Sequence, residues 1–116
     1  MTQDVSKFII SHDSTLQECL SKLVKSGSKC LIVSDIKLHL LGTLSDGDLR
    51  KAILKGKKLS DKILNLFNKK PKILLEGEYS TLKAQNLFLS HLIDIIPIIN
   101  KDKKIVKIIR IDDVFK

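Results

Sequence analysis

Aromatic residues, cysteine and long apolar runs are all scarce in this 116-residue sequence. Tryptophan is absent and tyrosine occurs once, so the core must rest mainly on leucine, isoleucine and valine. The two cysteines, Cys19 and Cys30, lack the CxxC spacing of redox or zinc sites and lie in apolar patterns, which predicts small core residues. No run approaches the roughly 18 apolar residues of a membrane-spanning helix, and the N-terminal run is too short for a signal peptide. We therefore expect a cytoplasmic protein with no membrane partner.

Acidic residues are outnumbered, since 21 lysines and arginines face 13 aspartates and glutamates and leave a net charge of +8. Such a charge suits a nucleic-acid partner. Only Arg50 and Arg110 are arginines, however, and the chain has few aromatic rings, whereas base recognition uses arginine and aromatic stacking. We expect no nucleic-acid partner, and regard small phosphorylated ligands as compatible with the charge.

Groupings typical of metal sites and of catalysis are also missing. The three histidines, His12, His39 and His91, share no metal-ligand spacing, and no Ser/His/Asp or Cys/His set lies on suitable elements. We predict no metal, no cofactor and no catalysis by this chain alone.

What the sequence does contain is an internal repeat. Shifted by 65 residues, the apolar pattern coincides with itself without a gap, so that residues 8–10 fall on residues 73–75 and Asp48 falls on Asp113. The chain is too short for two independent domains. Two halves packed about a pseudo-twofold axis would bury the sheet that neither half can bury alone, and would leave clefts between them.

The sequence pattern of the first half predicts secondary-structure elements in the order β-α-β-β-α. A strand at 7–10 precedes a helix in which Thr15 and Glu18 have capping-box spacing. A helical stripe facing the core is predicted for Leu16, Cys19, Leu20, Leu23 and Val24, and Gly27 ends this helix. The segments "CLIV" and "HLLGTL" predict two strands. Ser45, three residues before Asp48, predicts the N-cap of the second helix.

The second half repeats this order, with strands at 73–75, 95–99 and 105–109, a helix from Ser80 and another beginning near Asp112. Between the halves, the segment "LSDKILNLFNKKP" predicts a connecting helix ended by Pro71. The predicted organisation is repeat 1 at 1–56, a linker helix at 57–70 and repeat 2 at 71–116.

The segment "LLGTLSDGDLRKAI" carries a resemblance to a known family. Gly42, two apolar positions, Ser45 and then Asp48 form a pattern similar to the most telling motif of CBS-domain pairs, also called Bateman modules. The helix start "DSTLQECL" and the strand "IIPII" with Pro97 add to it. The resemblance covers nearly the whole chain and implies an α/β (α+β) fold of tandem CBS repeats.

The same resemblance implies a regulatory module that binds a nucleotide, most often an adenine nucleotide such as AMP, ADP or ATP. Ser45 and Asp48 would hold phosphate and ribose, because a carboxylate accepts hydrogen bonds from a diol and a helix N-terminus offers N–H groups to phosphate. Site 1 carried over from the family comprises Ser45, Asp48, Ile73, Ile93, Asp94 and Pro97. Site 2 comprises Phe8, Ser28, Lys29, Arg110 and Asp113.

Repeat 2 departs from the family pattern at two positions. Lys107 stands where the motif has glycine, and Arg110 stands where it has serine or threonine, so that only Asp113 is kept. We therefore expect unequal sites, with Arg110 either contacting a phosphate or filling the cleft. Asp94 lies at a position expected to face adenine, where its charge needs a partner. Helix capping alone remains an alternative role for Ser45 and Asp48.

A narrower resemblance concerns the parent protein. The motif, linker and second repeat are similar to the N-terminal CBS pair of sugar-phosphate nucleotidyltransferases, and Met1 precedes the pair closely. We expect an isolated regulatory fragment whose catalytic domain belongs to the same parent chain, and on family grounds a homodimer formed through the helices. The alternatives are a purely structural dimerisation module with vacant clefts, and the CBS pair of a sugar-phosphate isomerase.

Overall fold

A computed structural model describes residues 5–115 of the chain. Repeat 1 contains a 3₁₀ helix, Val5–Phe8, followed by β1 Ile9–Ser11, α1 Leu16–Ser26, β2 Cys30–Ser34, β3 Leu40–Ser45 and α2 Asp46–Leu54. Repeat 2 contains β4 Leu74–Leu75, α3 Thr81–Ser90, β5 Ile95–Ile99, β6 Ile105–Arg110 and α4 Ile111–Val114. The mixed α/β class and the predicted β-α-β-β-α order are confirmed, although β1 and β4 are shorter than predicted.

The two repeats form two three-stranded sheets, ordered β1-β2-β3 and β4-β5-β6. In each, the first strand runs parallel to the second and the third runs antiparallel to it. Side chains of β2 alternate between two cores, because Leu31 and Val33 pack with the helices of repeat 1 whereas Ile32 packs in the core shared with repeat 2. A strand buried on both faces explains why "CLIV" and "IIPII" are apolar throughout.

The caps predicted for the first two helices are confirmed. The Glu18 N–H donates to Thr15 Oγ1 at 3.2 Å and the Thr15 N–H donates to Glu18 Oε1 at 2.9 Å, which closes the capping box of α1. Gly27 ends the helix at a φ of 71°. The predicted core stripe of α1 is wrong at Val24, which is 84% exposed. It lies about 100° around the helix from Leu23, outside the narrow face that contacts the sheet.

The predicted alignment of β1 with β4 is wrong by one residue. Ile9 pairs with Ile32 in repeat 1, but its predicted counterpart Leu74 pairs with Ile98, one residue beyond the position equivalent to Ile32. Ile10 and Leu74 are the true counterparts, since both are buried against the helices of their own repeat. A one-residue slip would turn these side chains to the opposite face of the sheet.

The extra residue of repeat 2 is Tyr79, directly before the N-cap Ser80 of α3. The turn hydrogen bond from the Ser14 N–H to the Ser11 carbonyl recurs 64 residues later, from Glu78 to Leu75. From the N-cap onward the offset is 65 residues. The repeat therefore contains a gap, and Ile73 corresponds to Ile9 rather than to Phe8.

The helix predicted at 57–70 is absent: this segment consists of turns and bends. Gly56 and Asn65 adopt φ values of 99° and 70°, which interrupt a helix. Tertiary contacts use the apolar residues instead. Ile63 is fully buried in the core of repeat 1, and its N–H donates to the carbonyl of Ser14 at 2.9 Å.

The linker also extends the sheet of repeat 1. The Thr43 N–H donates to the Asn68 carbonyl at 3.0 Å, and the Asn68 N–H donates back to the Thr43 carbonyl at 2.8 Å. This pairing brings the linker backbone against Gly42, where a Cβ atom would overlap Asn68 and lie 2.6 Å from Phe67 Cδ2. Close approach of the linker thus accounts for the glycine of the motif.

The repeats are joined at the turns that follow β2 and β5. Leu38 and Lys103, which are 65 residues apart, both adopt a positive φ, at 67° and 63°. The Leu40 N–H donates to the Lys103 carbonyl and the Ile105 N–H donates to the Leu38 carbonyl, each at 2.9 Å. These two hydrogen bonds are equivalent under the 65-residue repeat, as a pseudo-twofold axis between the repeats requires.

Candidate functional site

A cleft of about 880 Å³ lies between the repeats, beside the first turns of α2 and α4. Six of the predicted site residues line it. They are Lys29, Ser45 and Asp48 from repeat 1, and Ile93, Asp94 and Arg110 from repeat 2. The structure therefore brings residues predicted for two separate sites into one cleft.

Ser45 and Asp48 form a capping box at the start of α2. The Asp48 N–H donates to Ser45 Oγ at 3.0 Å, and the Ser45 N–H donates to Asp48 Oδ2 at 3.0 Å. Within residues 5–115, the Oδ1 atom of Asp48 has no hydrogen-bond partner. The carboxylate thus caps the helix with one oxygen and keeps the other available to the cleft.

Asp94 links the two repeats from the other side of the cleft. Its Oδ2 atom accepts a hydrogen bond from the Lys29 N–H at 3.0 Å and lies 3.3 Å from Ser28 Oγ. The partner that its charge required is therefore a backbone amide. The Lys29 carbonyl accepts from the Asp46 N–H at 2.9 Å, so that one residue connects Asp94 to the first turn of α2.

Cys30 lines the same cleft as the two carboxylates. Burial raises the pKa of its thiol to about 12, and the nearby negative charges of Asp94 and Asp48 add to the rise in pKa. Both cysteines are free and buried, which confirms that they are core residues. A thiol with so high a pKa is not a nucleophile near neutral pH.

Arg110 occupies the position in β6 that Ser45 occupies in β3. Its guanidinium group lies over the ring of Phe8, 5.2 Å from the ring centroid, and its backbone N–H donates to Asp113 Oδ2 at 2.7 Å. Arg110 and Lys29 give the cleft two positive charges opposite the carboxylates. The arginine both contacts the other repeat and faces the cleft.

The remaining predicted site residues do not line this cleft. Ile73 lines a separate cleft of about 680 Å³ beside the turn at 99–103, and Asp113 lines a third of about 330 Å³. Pro97 and Phe8 are buried in the core, and Ser28 is buried behind Asp94. Ile73 is displaced because β4 is one residue out of the predicted register.

Nine of the fifteen residues that line the cleft were not predicted, and Leu92 and Asn68 are two of them. Leu92 is fully exposed at the rim and stands where repeat 1 has Gly27, and Asn68 comes from the linker. The alignment of "HLID" with "SGSK" is the signal that could have identified Leu92. Nothing local pointed to Asn68, because the linker was predicted to be helical.

Membrane-spanning helices and metal-binding side-chain clusters are both absent from residues 5–115. No helix in this part of the chain is long and apolar enough to cross a membrane. No group of three or more histidine, cysteine, aspartate or glutamate side chains is arranged there to hold a metal ion.

Residues 1–55 match the family model described as the CBS domain. No curated protein matches the chain significantly in sequence. Among solved structures, the CBS-pair protein CBSX2 from Arabidopsis thaliana superposes with a TM-score of 0.81 at 21% identity, covering 98% of this chain and 86% of that chain. A CBS domain pair/ACT domain protein from Thermotoga maritima gives 0.79 at 23% identity, covering 97% and 87%. A CBS domain protein from Pyrobaculum aerophilum, complexed with AMP, gives 0.75 at 16% identity, covering 97% and 89%.

Proposed function

We propose that this chain, which has the fold of a CBS-domain pair, is a regulatory module that binds a nucleotide in the cleft between its repeats. One observation carries the proposal. The cleft combines a helix-capping carboxylate with a free oxygen, Asp48 Oδ1, and two cationic side chains, Lys29 and Arg110. The related protein from Pyrobaculum aerophilum is a complex with AMP, which supports the same ligand class.

The ribose and the phosphate of a nucleotide each have a suitable group in the cleft. The free Asp48 oxygen accepts from a ribose hydroxyl, and the dipole at the start of α2 favours phosphate, as do the two cations. A volume of about 880 Å³ lies within the range of roughly 300–1,000 Å³ that small-molecule sites occupy. The module would regulate by binding, and the chemistry would belong to another domain.

A ligand titration tests the proposal. AMP, ADP, ATP and guanine and cytidine nucleotides are each added at millimolar concentration while the melting temperature is followed. A ligand present at 100 times its dissociation constant adds about 2.7 kcal/mol to the free energy of unfolding. Asp48→Ala should abolish the ligand-induced shift, whereas Asp102→Ala, at an exposed turn outside the cleft, should leave it intact. No shift with any nucleotide contradicts the proposal.

We further propose, on the resemblance of the motif segment, that the parent protein is a cytoplasmic sugar-phosphate nucleotidyltransferase of nucleotide-sugar synthesis. A sugar-phosphate isomerase is the alternative parent. Sequencing the gene beyond residue 116 tests this directly, because a glycine-rich nucleotide loop supports the first and its absence there removes it.

A structural dimerisation module is the second candidate function, and homodimerisation is compatible with both. Val24 on α1 and Leu89 on α3 lie 65 residues apart and are 84% and 74% exposed. Equivalent apolar side chains on the outer faces of two helices favour a contact with a second copy. Sedimentation should show a dimer that Val24→Asp with Leu89→Asp converts to a monomer, while Ile36→Asp, at an exposed turn, leaves the dimer unchanged. Dimers without any nucleotide-induced shift would favour the structural role.

A further inference from the structure

We infer that the cleft selects guanine nucleotides over adenine nucleotides, with Asp94 as the residue that recognises the base. The inference rests on the proposed function, and concerns which base the same cleft prefers. It follows from the hydrogen bonds that Asp94 makes and from those it leaves unmade.

The Asp94 carboxylate has one firm donor in the protein, the Lys29 N–H at 3.0 Å. Ser28 Oγ lies 2.8 Å from the Cys30 carbonyl and 3.3 and 3.5 Å from the Asp94 oxygens, so its single hydroxyl proton has two competing acceptors and the longer contacts to Asp94 are the weaker ones. No cationic side chain of residues 5–115 forms an ion pair with Asp94. A carboxylate accepts about four hydrogen bonds, so this half-buried group, which lines the cleft, keeps acceptor positions that the protein does not fill.

The position of Asp94 suits a base whose ribose is held by Asp48. Both carboxylates line the same cleft, and so does Cys30. The backbone of Lys29 connects Asp94 to the first turn of α2 through two hydrogen bonds. A nucleoside bound with its sugar at Asp48 therefore extends its base along Lys29 toward Asp94.

An ionised carboxylate only accepts hydrogen bonds, and this property distinguishes the bases. Guanine presents two adjacent donors on its Watson–Crick edge, N1–H and the N2 amino group, which match the two carboxylate oxygens. Adenine and cytosine each present one amino donor beside a ring nitrogen that is an acceptor, which the carboxylate repels. Hydrogen bonds to a charged acceptor are the stronger ones, and leaving a polar group unpaired carries a cost.

The test is calorimetric titration of the full chain with GMP, IMP and AMP at one fixed salt concentration. GMP should bind at least about tenfold more tightly than AMP, because two charge-assisted hydrogen bonds replace one bond and a repulsion. IMP, which keeps N1–H and lacks the N2 amino group, should fall between them. Equal binding of IMP and GMP contradicts recognition by paired donors.

Asp94→Asn is the decisive variant, because an amide offers one acceptor and one donor and so complements adenine. Its amide oxygen can still accept from the Lys29 N–H, which preserves the fold. The preference for GMP should disappear or invert, whereas Asp112→Asn, which removes another carboxylate of the same cleft, should retain it. If AMP equals GMP in the natural chain and Asp48→Ala abolishes both, the inference fails and the proposed function stands. If neither binds, both fail.

Discussion

Replacing Gly42 with alanine tests whether the linker is a structural part of repeat 1. The added methyl group would overlap the Asn68 carbonyl oxygen and lie 2.6 Å from Phe67 Cδ2. The Asn68 oxygen belongs to the backbone, so no change of side-chain rotamer relieves the overlap. The linker must move away from β3.

The cost follows from the contacts that such a movement breaks. The exchange between Thr43 and Asn68 contains two backbone hydrogen bonds, each worth about 1 kcal/mol. Overpacking at a well-packed site adds about 1–3 kcal/mol. We therefore expect Gly42→Ala to lower the free energy of unfolding by about 3–5 kcal/mol, a large share of the roughly 5–15 kcal/mol typical of a domain.

Urea denaturation followed by circular dichroism measures this effect, since the chain has no tryptophan to report unfolding by fluorescence. Gly47→Ala is the matched control within the same motif. A Cβ atom there meets nothing closer than Ser45 Oγ at 3.7 Å, and alanine suits a helix better than glycine, so Gly47→Ala should not destabilise the protein and should raise the free energy of unfolding by up to about 1 kcal/mol. Equal destabilisation by both substitutions, or none by Gly42→Ala, would refute the packing of the linker against β3.

Three other predictions concern the core, the thiols and the first helix cap. Ile63→Ala, at a fully buried linker position, should lower the free energy of unfolding measured in urea by about 2–5 kcal/mol. Leu64→Ala, at a side chain that is 59% exposed, should lower it by no more than about 0.5 kcal/mol, and similar losses for both variants would contradict the turn structure of the linker. Burial raises the pKa of the Cys30 thiol from 9.0 to about 12, so the unfolded chain loses this proton at a lower pH than the folded chain does. The free energy of unfolding should therefore fall as the pH rises from 9 to 12, and this fall should be less steep in Cys30→Ala. Thr15→Ala should cost about 1 kcal/mol. The Thr15 N–H and hydroxyl lower the pKa of Glu18, so the stability that this carboxylate adds above about pH 4.5 should be lost on acidification, and Thr15→Ala should weaken that acid dependence in thermal melts.

Local signals were sufficient for much of this fold. The capping boxes at Thr15 and Ser45 depend on residues three apart, and the apolar strand "IIPII" is buried on both faces, so each could be predicted from its own segment. The linker could not, because Ile63, Leu64 and Phe67 suit a helical stripe equally well. Its conformation is decided by contacts with residues some 50 positions earlier, such as Ser14.

The candidate site shows the same division. Ser45 and Asp48 belong to a continuous motif, and the structure places both in the cleft. The one-residue shift of β4 could not be predicted, because "ILL" places an apolar residue in the core in either register. The shift arises from the one extra residue, Tyr79, before the N-cap of α3. The donor to Asp94 is the backbone N–H of Lys29 in the other repeat, and a backbone contact of this kind cannot be predicted from the pattern of side chains.

The packing of Ile63 also defines where the first half of the molecule can be cut. A fragment ending at residue 56, the predicted end of repeat 1, would leave an unfilled hole among Leu16, Leu44 and the neighbouring side chains that Ile63 contacts in the same core. It would also leave the β3 edge at Thr43 unpaired, open to intermolecular pairing and aggregation. Repeat 1 therefore extends structurally to Asn68, so that the segment joining the two repeats can be lengthened without loss of stability only beyond that residue.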